Sequence, residues 1–158
     1  MNKTSWTVNN MLHREDGPAV DLDYMKKWCI MGLLHRDDGP AFEEEGTKYW
    51  YKFGKLHRED GPAIEFSNGT RKWYQFDVLH RKNGPAVIVP GVKEEWYYYG
   101  KLHRKNGPAI VYENGDEEWW LYNVRHREDG PAVTRCGSKW YFVNGKQIAE
   151  GDIKGKIN

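Results

Sequence analysis

Cysteine is scarce in this chain of 158 residues, and the two present, Cys29 and Cys136, stand more than a hundred positions apart. In a chain whose contacts run between near neighbours they are out of reach of one another, so no disulfide is expected and a reducing cytosol fits best. Charge of one sign is lacking too. The 24 Lys and Arg against 23 Asp and Glu leave a formal net charge of +1, without the cationic excess that announces nucleic-acid or anionic-membrane binding. No apolar run approaches the roughly 20 residues that cross a bilayer, and the opening MNKTSWTVNN has no apolar core of a signal peptide. The expectation is a cytoplasmic protein with no transmembrane segment. Helical periodicity is missing as well, because glycine or an Asx-Gly pair interrupts every window of about ten residues. What remains plentiful is aromatic: 8 Trp, 10 Tyr and 5 Phe, enough to bury surface with broad rings in a thin sheet.

Those rings are periodic. The phrase Leu-His-Arg-x-Asp/Asn-Gly-Pro-Ala-aliphatic recurs as LHREDGPAV, LHRDDGPAF, LHREDGPAI, LHRKNGPAV, LHRKNGPAI and RHREDGPAV. All six histidines, His13, His35, His57, His80, His103 and His126, occupy its second position, at spacings of 22 or 23 residues. A fixed period of this size marks a stack of like supersecondary units. Seven residues before each histidine stands Trp6, Trp28, Trp50, Trp73, Trp96 or Trp119, and Trp140 is read as opening a seventh copy in which Gln147 falls at the histidine position and Ile148 at the arginine position. A degenerate last unit is what a capping repeat looks like. One repeat domain over 1–158 is expected, with 149–158 as tail or cap.

Within a unit, the aromatic stretch after tryptophan has strand propensity. Four residues on stand Asn10, Gly32, Gly54, Asp77, Gly100, Asn123 and Asn144, all tolerant of a left-handed backbone, so a turn is expected there. The Asp-Gly or Asn-Gly of the motif reads as a second, type I′ hairpin turn. Pro-Ala opens the return strand, and the unvarying alanine implies a close approach. Length differences fall around Gly46, Asn68-Gly69, Gly91 and Asn114-Gly115, in loops between hairpins. The fold class predicted is all-β: a single elongated antiparallel meander, or solenoid, of six to seven stacked β-hairpin repeats.

The resulting pattern WYxxGxLHRxxGPAxxxxxG, from Trp6 to about Gly145, resembles the MORN repeat and its shorter variants. In its HR-x-D-G-P-A wording it resembles repeat proteins of tailed bacteriophages and, less closely, bacterial antitoxin-like proteins. The family implies an interaction scaffold, with membrane-lipid contact in some members. Histidine, arginine and proline fill the segment where the usual MORN glycines stand.

Six like copies offer no single asymmetric constellation of nucleophile, base and stabiliser, so no enzyme activity, metal or other cofactor is expected. The regular positions read as a structural ladder. Each histidine is expected to bond a turn carbonyl or pack on a neighbouring tryptophan. Arg14, Arg36, Arg58, Arg81, Arg104 and Arg127 are expected to pair with Asp16, Asp38, Asp60 or Asp129, or to stack on the aromatic rows. Asn83 and Asn106 break the series. Function is sought where copies disagree, two places after each tryptophan: Val8, Ile30, Lys52, Gln75, Tyr98, Leu121 and Phe142. With Phe42 to Gly46 and Tyr97 to Tyr99, these are the candidate partner-binding residues.

The function expected is binding of another protein by a non-enzymatic scaffold, in its concrete form a phage or bacterial inhibitor of a host or defence factor acting in the host cytoplasm. The alternative is single-stranded nucleic acid or nucleotide on the aromatic and arginine face. Lipid contact is implied only by the resemblance. Open terminal strands also allow a homodimer.

Overall fold

A computed structural model describes residues 4–153. Residues 154–158 of the expected tail lie outside them. The architecture is all-β and antiparallel; among the described residues helical structure is confined to a 3-10 turn, Glu150–Asp152. The chain divides into two compact units, Met1–Val78 and Leu79–Asn158.

In the first unit six strands follow one another as neighbours: Val20–Leu22, Met25–Lys27, Phe42–Glu44, Thr47–Tyr49, Ile64–Glu65 and Arg71–Lys72. In the second, seven do so: Val87–Val89, Lys93–Glu95, Ile110–Tyr112, Glu117–Glu118, Val133–Arg135, Ser138–Val143 and Lys146–Ile148. Each repeat thus gives two strands to a meander. Its tryptophan segment leaves the sheet and folds into a separate hairpin of two-residue strands, such as Tyr51–Lys52 with Lys55–Leu56 and Tyr97–Tyr98 with Lys101–Leu102.

The alanines seal the branch point. Ala19, Ala41, Ala63, Ala86, Ala109 and Ala132 are fully buried, and a tryptophan amide donates to the alanine carbonyl in Trp28 to Ala41 and Trp96 to Ala109, each at 2.8 Å. A larger side chain there would collide with the crossing backbone. The other buried apolar residues are Cys29 and Ile64 in the first unit and Val87, Ile110, Val133 and Ile153 in the second. Among the described residues no large side chain is completely sequestered, as expected of a sheet too thin to enclose one.

The turns differ from the sequence expectation in one important respect. The Asx-Gly of the motif is not a hairpin turn. Left-handed backbone at two successive residues, the requirement of a type I′ turn, occurs instead at Met31-Gly32, Phe53-Gly54, Phe76-Asp77, Tyr99-Gly100 and Tyr122-Asn123, and at Glu45-Gly46 and Cys136-Gly137 in the sheet. Asp16, Asp38, Asp60, Asn83, Asn106 and Asp129 are absent from the left-handed residues. They sit in an irregular bend carrying the chain from the small hairpin back to the sheet.

The glycine of that bend answers a spatial need. A Cβ built on Gly39, Gly61 or Gly130 would stand 2.8, 2.7 or 2.9 Å from the guanidinium carbon of Arg36, Arg58 or Arg127. The arginine is sandwiched between glycine and tryptophan.

Candidate interaction surface

Each His-Arg-x-Asp-Gly-Pro bend is a closed unit of side-chain chemistry. The Arg58 Nε donates to Asp60 Oδ1 at 2.9 Å, its Nη1 donates to the Pro62 carbonyl at 3.4 Å, and its guanidinium carbon lies 4.1 Å above the Trp50 ring. Arg14, Arg36 and Arg127 repeat the arrangement over Trp6, Trp28 and Trp119. Pairing and ring stacking, offered as alternatives by the sequence, occur together. The arginine's hydrogen bond and charge lower the carboxyl pKa of Asp16, Asp38, Asp60 and Asp129. Where Asn106 replaces aspartate, Arg104 keeps its bond to the Pro108 carbonyl at 3.2 Å and its place 3.9 Å over Trp96. The stack therefore does not depend on the ion pair.

The histidines do something the sequence did not disclose. Each imidazole contacts neither a turn carbonyl nor a tryptophan, but the left-handed residue of the next hairpin turn. The amides of Met31, Phe53, Tyr99 and Asn144 donate to Nδ1 of His13, His35, His80 and His126 at 3.1 to 3.3 Å. The rings of Phe53, Phe76, Tyr99 and Tyr122 lie flat on His35, His57, His80 and His103, with centroids 4.0 to 4.1 Å apart. An Nδ1 that accepts an amide proton must be unprotonated, so the imidazole is neutral with its proton on Nε2. Burial lowers the pKa of His80 and His103 in the same sense.

One face of each turn ring is covered by histidine, and the residue as a whole stays open: Phe53 is 57% exposed, Phe76 52%, Tyr99 56% and Tyr122 53%. These turn aromatics, two in each unit, stand three places after Trp50, Trp73, Trp96 and Trp119, and the sequence reading named only Tyr99 of the four. The signal available was an aromatic at a turn position, where small polar residues are the rule.

Of the candidates named from sequence, Val8, Gln75 and Tyr98 are exposed, and Ile30, Lys52, Leu121 and Phe142 are half-buried. Ile30 and Lys52 line two grooves of the first unit, each bounded by consecutive bends. One, of about 440 Å³, is lined by Arg14, Asp16, Trp28, Ile30, Arg36 and Asp38 among others; the next, of about 510 Å³, by Arg36, Asp38, Trp50, Lys52, Arg58 and Asp60. Asp37 and Glu59 add further carboxylates to the second. In the second unit Tyr98 stands at the equivalent position, 4.8 Å from the Tyr99 ring, 5.2 Å from His80 and 5.9 Å from His103. The Phe42 to Gly46 segment lies in the sheet hairpin, and its residues from Glu43 to Gly46 line a separate hollow of about 170 Å³ with Tyr24 and Lys48.

The seventh copy is displaced by one residue from its sequence alignment. Tyr141 pairs with Ile148, and the Asn144 amide meets His126 as Tyr99 meets His80. Tyr141 therefore holds the tryptophan position, Ile148 the histidine position and Val143 the variable position, rather than Trp140, Gln147 and Phe142. Trp140 instead pairs with Val133, as Glu118 pairs with Ile110. Ala132 to Tyr141 is nine positions, as Ala19 to Trp28 and Ala41 to Trp50 are, and the Cys136-Gly137 turn matches Glu45-Gly46, so Trp140 simply stands one residue before the ladder position.

One cluster departs from the repeat. Glu118 is 2% exposed. Its carboxylate accepts from Arg135, from the Tyr112 hydroxyl at 3.1 Å and from the Trp120 indole at 3.1 Å, with Arg125 at 3.5 Å. Burial alone would raise its pKa, but these hydrogen bonds and the two guanidinium charges outweigh it and hold the carboxyl below its ordinary value. Arg125 and Arg135 also line a hollow of about 300 Å³ with Val133, Trp140, Phe142 and Gln147. The sequence contained no sign that Glu118 differs from its neighbour Glu117.

Fold and surface together define an antiparallel repeat protein whose regular side chains are spent on bracing each hairpin against the next. Among the described residues no helix is long and apolar enough to cross a membrane. Comparison with protein-family models finds no match, and comparison with curated proteins likewise finds none.

Proposed function

We propose that this chain is a non-enzymatic scaffold that binds another protein through its hairpin turns. The observation carrying the reading is the turn aromatics, Phe53 and Phe76 in the first unit and Tyr99 and Tyr122 in the second, each more than half exposed although stacked on histidine. Solvating four such rings is unfavourable for a free protein, and rigid aromatic groups lose little entropy when covered. Tyr98 and the grooves beneath the turns extend the surface. The MORN-like and phage-like pattern of the repeats supports a concrete version, a phage or bacterial inhibitor that occupies the surface of a host or defence factor in the cytoplasm.

The test is a photo-crosslinking side chain placed at Phe53, at Tyr99 and, as a control, at Lys48, which is exposed on the sheet. In a bacterial lysate, a discrete adduct from the two turn positions and none from Lys48 is expected. Absence of adducts, or an equal yield from Lys48, would sink the reading.

A further inference from the structure

The six bends share the arginine bond to the proline carbonyl but not a charge. In the first unit each bend carries its arginine with two carboxylates: Glu15 and Asp16, Asp37 and Asp38, Glu59 and Asp60. The bends beginning at Arg81 and Arg104 carry lysine and asparagine instead, Lys82-Asn83 and Lys105-Asn106, and the sixth returns to Glu128 and Asp129.

The geometry around these two bends matches that of the first-unit grooves. The Arg81 amide donates to the Tyr97 carbonyl as Arg36 does to Tyr51, the His103 amide to the Trp96 carbonyl as His57 does to Trp50, and Arg104 covers Trp96 as Arg58 covers Trp50. The trough between them is therefore floored by Trp96 and Tyr98 and rimmed by Lys82 and Lys105. Both lysines are exposed, and neither joins an ion pair among the described residues. Their counterparts Asp37 and Glu59 lie 3.6 Å from His35 and His57. Lysine cannot take that role, and at His80 and His103 burial alone shifts the pKa, downward.

Nothing among these contacts requires the lysines, since Arg104 keeps its stack on Trp96 and His80 keeps the Tyr99 amide without the carboxylates. We infer that the trough between the bends at Arg81 and Arg104 is the seat of an acidic segment of the protein partner, with carboxylates on Lys82 and Lys105 and an apolar or aromatic residue on Tyr98, Tyr99 and Tyr122. This rests on the protein-binding reading above and adds the partner's chemistry. A protein segment is favoured over a nucleic-acid strand because the cationic stretch spans only two repeats, about 10 Å of advance for each pair of strands, before Glu128 and Asp129 interrupt it. A strand of phosphates gains from continuous basic surface.

Fluorescence anisotropy of the full chain would use three probes: a peptide of alternating glutamate and tyrosine, the same peptide with lysine for glutamate, and a short oligothymidylate. The acidic peptide should bind, should weaken with added salt, and should lose about tenfold in affinity in the Lys82→Glu/Lys105→Glu variant, the scale of a few partly screened charge pairs. The Lys48→Glu variant should bind as the parent does. Equal binding of both peptides, no binding of the acidic one, or tighter binding of oligothymidylate lost in the double variant would each overturn the assignment. Crosslinking from Tyr99 separates the two levels. An undiminished adduct in the double variant defeats the acidic-segment inference alone, whereas no adduct from the parent chain defeats the protein-binding reading itself.

Discussion

The Tyr99 ring lies on the His80 imidazole with centroids 4.1 Å apart and planes within 11°, and the Tyr99 amide donates to His80 Nδ1 at 3.2 Å. One histidine thus holds both the backbone and the side chain of the following turn. Replacing His80 by alanine removes the stack and leaves a turn amide without its acceptor, at a cost of about 1 to 3 kcal/mol. Urea denaturation should show that loss. A double-mutant cycle with Tyr99→Ala should return a coupling of about 0.5 to 1.5 kcal/mol, and a coupling of zero would mean the stack is incidental.

Acid should loosen the second unit through its histidines. Burial lowers the pKa of His80 and His103 below the free value of 6.5, so the folded state binds fewer protons than the unfolded one in that range. Stability is then level above about pH 6.5 and falls as pH drops through and below it. Thermal denaturation between neutral and weakly acid pH should follow this course. The slope should diminish when both positions are glutamine, which does not titrate and at position 80 can still accept the Tyr99 amide.

The bend glycine leaves room for arginine, not for chain reversal. Gly61→Ala would place Cβ 2.7 Å from the Arg58 guanidinium carbon, pushing it off Trp50. A loss of about 1 to 2 kcal/mol is expected, the value of a desolvated cation–π contact with its hydrogen bond. Arg58→Lys should cost a similar amount, because an ammonium cannot donate to Asp60 and Pro62 while lying flat on a ring. A neutral effect of Gly61→Ala in urea melts would refute the sandwich.

Glu118→Gln should destabilise the second unit by about 1 to 3 kcal/mol, because it strips the charge that Arg125 and Arg135 share while leaving their positive charges together. Since its carboxyl is held below the ordinary 4.5, its contribution is present above that pH and fades as pH falls below it. Melting curves at pH 7 and pH 3 should therefore differ more for the parent chain than for the variant. Equal differences would remove the ion cluster from the account.

The displaced seventh copy predicts an inequality between two tryptophans. Trp119 carries the Arg127 guanidinium at 4.0 Å, whereas Trp140 sits a register earlier and is 38% exposed. Trp119→Ala should cost about 3 kcal/mol or more and Trp140→Ala clearly less. Guanidinium denaturation of the two variants decides it.

Much of this was readable in the chain because repetition averages out local ambiguity. The all-β class, the turns after each tryptophan, the fully buried alanines and the closeness of arginine to tryptophan all rest on side-chain size and backbone freedom, which act within a few residues. The Asx-Gly bend was misread for the same reason. Its local preference for a type I′ turn is real, but an arginine wedged between glycine and tryptophan outweighs it. The histidine row was hidden because its partner is some eighteen residues on, in the next hairpin. The seventh copy was misaligned because a tryptophan, Trp140, stands one residue before the ladder position, and only the pairing of Tyr141 with Ile148 shows which residue holds it.

The sequence by itself determined the period, the strand content and the identity of the scaffold positions, since those follow from steric limits and apolar burial repeated along the chain. Only the tertiary structure decided that each histidine braces the next turn, that Tyr141 and not Trp140 closes the ladder, and that Glu118 is buried among arginines. Each of those depends on which backbone pairs with which. Pairing register is settled by the summed contacts of neighbouring hairpins, not by any residue's own preference.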